Sequence, residues 1–178
     1  MKNIIFMKYG FHASEKGYAI IERKLAEEKA CGMTMWGYGG TICHPLNQVQ
    51  PFLTENYNAG EKTYLVLSRI ETTWRGATSK AQFFSEDRND WIPIPDEINV
   101  LGSKYALICR RFERVEIELN LFDYKVPLGK SAGSYLADYI VGHVTKGCGR
   151  LSQENSLTIP KLVTISACAE VEGAVFVA

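Results

Sequence analysis

Val115-Glu116-Ile117-Glu118-Leu119-Asn120-Leu121 alternates apolar and polar residues along its whole length. Successive side chains of a strand point to opposite faces, so this pattern predicts a strand with one buried and one wet face. Residues 104–112, just upstream, read as another strand. So do 63–70 and 81–85, with a turn at 87–90. The run Trp91-Ile92-Pro93-Ile94-Pro95 has two prolines and so lacks two ladder donors, which marks an edge or an extended connection. Downstream, 157–169 and 173–177 read as a terminal pair of strands joined near Glu172-Gly173.

Helical signals flank this block of strands. Residues 3–9 form a short apolar run that ends at Gly10, as a buried strand does. Ser14 offers an N-cap to a helix running to about residue 30, with Tyr18, Ile21 and Leu25 on its apolar side. Glu22, Arg23, Glu27 and Glu28 fall on the wet side, and Gly32 is the stop. Residues 33–38 read as a strand. Pro45 suits the first turn of a short helix ending near residue 60, with Val49, Phe52 and Leu53 facing the core. Pro51 limits or bends that helix. Ser131 is expected to cap a last helix to about residue 146, with Tyr135, Leu136, Tyr139, Ile140 and Val144 inward. Gly147 and Gly149 would end it.

Strands and helices do not alternate regularly along this order, which argues against a doubly wound parallel sheet. The expected fold is a single α+β domain over 1–178. A mixed or mainly antiparallel curled sheet, barrel-like if it closes, would carry two to three packed helices. The length of 178 residues, with 46% hydrophobic and 22% charged, suits one ordinary core.

Twenty basic residues balance twenty acidic ones. The excess positive charge that phosphate-backbone binding leaves on a nucleic-acid binder is absent. Arg110, Arg111 and Arg114 read as a solvated strand surface. The five cysteines are odd in number and contain no CxxC, which fits neither a disulfide framework nor a zinc site. Cys109 and Cys168 lie in apolar runs and read as core. No apolar run approaches the ~20 residues that cross a bilayer. The N-terminal run is too short for a signal peptide. These features predict a cytoplasmic protein with no membrane contact.

Three segments carry candidate chemistry. In Met35-Trp36-Gly37-Tyr38-Gly39-Gly40-Thr41-Ile42-Cys43-His44-Pro45, glycines alternate with two large aromatics before a helix start. Trp36 and Tyr38 offer stacking surfaces, and the amides of Gly39, Gly40 and Thr41 offer anion contacts. His44 can touch a ligand or bond the backbone of its own turn. The spacing matches neither GxGxxG nor the Walker A pattern. Cys43 beside His44 suggests a thiol nucleophile, but neighbours on a strand diverge, so His12 or His143 would have to be its base. In Pro127-Leu128-Gly129-Lys130-Ser131-Ala132-Gly133-Ser134, the residues Lys130, Ser131 and Ser134 would meet a phosphate at a helix start. Lys8, His12 and Ser14 occupy the turn between the first strand and the first helix. The histidines lack metal-ligand spacing, and no cofactor is expected.

The expectation is non-enzymatic binding of a small anionic, nucleotide-like ligand. Its role would be sensing or sequestration, as in phage counter-defence. The expected contacts are Lys8, His12, Trp36, Tyr38, Gly39, Gly40, Thr41, His44, Lys130, Ser131 and Ser134. Two rivals are a Cys43/His44-dependent hydrolase or transferase and a protein-interaction module. The apolar C-terminus, 174–178, predicts strand pairing within the chain or across a homodimer.

Overall fold

A computed structural model describes residues 1–39, 42–72, 79–154 and 159–178. The elements in chain order are β1 (Asn3–Tyr9), α1 (Gly17–Cys31), β2 (Thr34–Gly37), a π-helical turn (Pro45–Val49) that runs into α2 (Gln50–Asn58), and β3 (Thr63–Arg69). Then come β4 (Phe83–Ser85), β5 (Ile92–Pro93), β6 (Tyr105–Asn120), β7 (Tyr124–Lys125), α3 (Leu136–Tyr139), β8 (Lys146–Leu151) and β9 (Leu162–Val177). The strands form one mixed sheet in the order β2-β6-β9-β3-β1-β8-β7, with β4 on β9 and β5 on β4. Among the described residues only β1 and β3 pair in parallel. The sheet curls but does not close into a barrel.

Both faces of the middle strands are buried, which explains the continuous apolar runs of β1 and β3. Ile5, Leu65, Leu67 and Ala169 pack on one face beneath Ile20 and Ile21 of α1 and Phe52 of α2. Ile4, Phe6, Val66 and Cys168 pack on the other, against Leu136, Ala137 and Ile140. Gly32 closes α1 at φ 71, the left-handed C-cap conformation that glycine adopts without strain. Pro51 sits in the first turn of α2, where the helix changes from π to α winding.

The two long strands differ from the sequence reading. β6 runs unbroken where two strands are predicted at 104–112 and 115–121, and β9 runs unbroken through Glu172-Gly173. Register shifts between Ile108/Cys109, Arg110/Glu113 and Arg114/Ile117 replace the expected breaks. Such bulges bend a ribbon without ending it, so the 16-residue pair serves more than one core. The C-terminal apolar run finds its partners within the chain, on β6 and β4. Arg110, Arg111 and Arg114 pair with Glu172, Glu170 and Glu22, so no free basic patch forms there.

One bulge is held from the helix side. Arg111 has φ 52, and the backbone N–H groups of Arg111 and Phe112 both donate to the carboxylate of Glu28. Glu28→Ala should therefore cost about 1–3 kcal/mol, since it strips two charge-assisted bonds from the bulge. Urea unfolding checks this, and a loss within ~0.5 kcal/mol would mean the bulge holds its own shape.

The helix predicted from Ser131 to residue 146 does not form. Only Leu136–Tyr139 are helical, and Lys146–Leu151 pair with β1 as a strand. Gly142, at φ 56 in the left-handed region that glycine adopts without strain, turns the chain soon after α3. Ser14 is likewise no cap. It has φ 64 in the turn before α1, whose N-cap is Lys16.

Candidate functional site

A cavity of about 530 Å³ opens at the carboxyl ends of β1 and β3. Its walls come from residues 7–12, from Ile20, Arg23 and Lys24 of α1, from Trp36 and Gly37, from residues 99–103, and from Thr145 and Lys146. Four expected residues meet here: Lys8, His12, Trp36 and Gly39. His12 Nε2 lies 3.1 Å from the Leu101 carbonyl oxygen, which ties the β1–α1 turn to the 99–103 wall.

Two of the wall cations are already neutralised. Arg23 bonds Glu15 at 2.6 Å and Glu27 at 2.7 Å, while Lys24 bonds Glu27 at 2.8 Å and the Asn99 carbonyl at 2.8 Å. Glu27 also accepts from Thr34 Oγ1 and from the Asn99 N–H. The pair Lys24 and Glu27 is fully buried, contrary to the wet side expected for Glu27. Burial pulls the Lys24 ammonium down to about 8 although Glu27 opposes the shift.

Lys146 is different. It is buried, and no carboxylate pairs with it among the described residues. Its ammonium stands 4.6 Å from the centre of the Tyr38 ring, a cation–π contact. Burial lowers its pKa. It is in register with Met7, so it shares the sheet face of Met7 and Tyr9, whereas alternation places Lys8 with Ile4 and Phe6. No Asp or Glu among the described residues lines the cavity.

Trp36 forms a wall of the cavity. It is 5% exposed, stacked on Phe112 at 6.2 Å and edge-on to Tyr9 at 5.9 Å, with Nε1 donating to Met7 Sδ at 3.1 Å. Tyr38 is fully buried, and burial raises its phenol well above the ordinary range. With Gly39, His44, Arg88, Lys104 and Tyr105 it borders a smaller hollow of about 170 Å³. His44 Nδ1 accepts from the Leu46 N–H at 3.2 Å, so this side chain caps the π-helical turn. Gly40 and Thr41 lie outside the described residues.

Lys130, Ser131 and Ser134 do not join the cavity. Their segment is a tight turn with internal backbone bonds: Val126 N–H donates to the Ser134 carbonyl, Ala132 N–H to Gly129, Gly133 N–H to Val126, and Ser134 N–H to Ser131. No helix starts at Ser131, so the row of free helix-start amides expected there does not form. Cys43 is 1% exposed and its sulfur faces the Cys148 sulfur at 3.4 Å. Among the described residues, no three His, Cys, Asp or Glu side chains are grouped to hold a metal ion, and no helix is long and apolar enough to cross a membrane.

Sequence reasoning missed Lys146, Lys24 and Arg23. A signal for Lys146 was present in Lys146-Gly147-Cys148-Gly149-Arg150, where glycine alternates with larger residues at strand period. The glycines face a crowded side: a Cβ on Gly149 would stand 2.8 Å from Leu136 Cδ2, and one on Gly147 would stand 3.0 Å from the Tyr139 ring. Comparison with protein-family models, curated proteins and solved structures finds no match for this chain.

Proposed function

We propose that the chain binds a small anionic, nucleotide-like ligand in the cavity at the ends of β1 and β3, to sense or sequester it. The observation that carries this reading is Lys146, a buried ammonium without a carboxylate partner in a cavity that no described acid lines. A buried charge is costly unless something neutralises it, and an anionic ligand would do so. The volume falls within the roughly 300–1,000 Å³ of small-molecule sites. The aromatic wall of Tyr9, Phe11 and Trp36 favours a ligand with a flat apolar part. Position supports the reading by analogy alone, since ligands of parallel sheets gather at strand carboxyl ends.

The test pairs a thermal-shift screen (ATP, cyclic AMP, NAD, glucose 6-phosphate, citrate) with titration calorimetry on Lys146→Met. A binder present at a hundred times its Kd should add about 2.7 kcal/mol of stability. The variant should lose at least about tenfold in affinity, or ~1.4 kcal/mol. Its own melting temperature should hold or rise, because a desolvated charge has been removed. A panel with no effect, or a variant that binds like the natural chain, defeats the proposal.

A further inference from the structure

Cys43 and Cys148 are 105 residues apart in sequence, yet their Sγ atoms stand 3.4 Å apart. Each is 1% exposed. Cys148 lies in β8 opposite Ile5, and Cys43 sits at φ 51 in the turn that leads into Pro45. The other three thiols face oxygen: Cys31 and Cys168 the carboxylates of Glu97 and Glu113, Cys109 the Leu107 carbonyl. Burial, and then those carboxylates, raise the Cys31 and Cys168 thiols. Cys43 moves the other way. The hydrogen bond from Cys148 lowers it most, against burial, and the Lys146 ammonium adds to the effect. A thiolate attacks an oxidant, whereas a thiol does not.

We propose that Cys43 and Cys148 are a peroxide-oxidised dithiol, closed to an intramolecular disulfide by hydrogen peroxide. The Cys43 thiolate attacks one peroxide oxygen. The O–O bond breaks, and the departing hydroxide takes the Cys148 proton and becomes water. Cys43 is now a sulfenic acid. The Cys148 thiolate attacks its sulfur, the S–O bond breaks, and the second hydroxide takes a solvent proton to give a second water. Two thiols lose two electrons in all and one peroxide gains them. Bond formation needs the sulfurs to close to about 2.05 Å, and Cys43 lies in a turn that can supply this movement better than a strand can. Burial selects the oxidant: peroxide is close to water in size, and glutathione disulfide is far larger.

The test treats the full chain with hydrogen peroxide at pH 7.5, then unfolds it and counts thiols. The five free thiols should fall to three, non-reducing peptide mapping should join Cys43 to Cys148, and dithiothreitol should restore all five. Glutathione disulfide should leave the pair reduced. In Cys148→Ser, treated with peroxide while folded, the sulfenic acid has no resolving thiol, so dimedone present as the chain is then unfolded should label Cys43. Five thiols surviving peroxide, a link between another pair, or an unlabelled Cys43 in the folded variant would overturn the proposal. If the variant does not fold, mapping of the natural chain decides alone. None of these readouts depends on what the cavity binds.

Discussion

Glu27→Ala is expected to lower the unfolding free energy by about 3–5 kcal/mol, the range for removing one partner of a buried ion pair. Glu27 is 2% exposed, and its carboxylate receives bonds from Arg23, Lys24, Thr34 and the Asn99 amide. It therefore joins α1 to β2 and to the 99–103 wall of the cavity. Alanine leaves the Lys24 ammonium buried beside the Arg23 guanidinium with only the Asn99 carbonyl to accept from it. For a chain of this size the melting temperature should drop on the order of 10 °C. Adding Lys24→Met to Glu27→Ala should recover part of the loss, because the orphaned charge goes with it. Urea unfolding of the two single variants and the double variant measures the coupling. A single-variant loss under about 1 kcal/mol would show that Glu27 is not the hub of this network.

Trp36→Ala should cost a similar ~3–5 kcal/mol, as large-to-small changes of a core aromatic do. The ring lies between Tyr9 and Phe112 and bonds Met7, so alanine removes packing from three neighbours and widens the cavity. Trp36→Phe keeps most of that packing and should cost distinctly less. Together the two variants separate a structural wall from a stacking platform. If alanine loses ligand affinity with stability nearly intact, the indole is a platform, and the packing account of this residue is wrong.

Elements whose signal is local were legible in the sequence. β1, α1 with its Gly32 stop, the Pro45 turn and β3 follow from runs, periodicity and backbone chemistry within a few residues of each other. Leu136 and Ile140 also looked helical, and both are buried as expected, but β8 was hidden. Its glycine alternation makes sense only beside Leu136 and Tyr139, which fill the space that side chains would take. The candidate site was half legible. Lys8, His12, Trp36 and Gly39 converge, because turns at strand ends gather at one rim of a sheet. Lys130, Ser131 and Ser134 lie away from this cavity, and the helix that was to present them does not form.

Hydrophobic pattern and turn chemistry alone thus settle that this is an α+β domain, that β1 and β3 are strands, and that a turn follows β1. Both kinds of signal are written in neighbouring residues. Tertiary structure alone decides that β6 and β9 run unbroken through their bulges, that Lys24 and Glu27 are buried together, and that Lys146 meets Tyr38 while Cys43 meets Cys148. Each of these is a pairing across many residues, and the energy that selects it exists only once the sheet has brought the partners into one low-dielectric space.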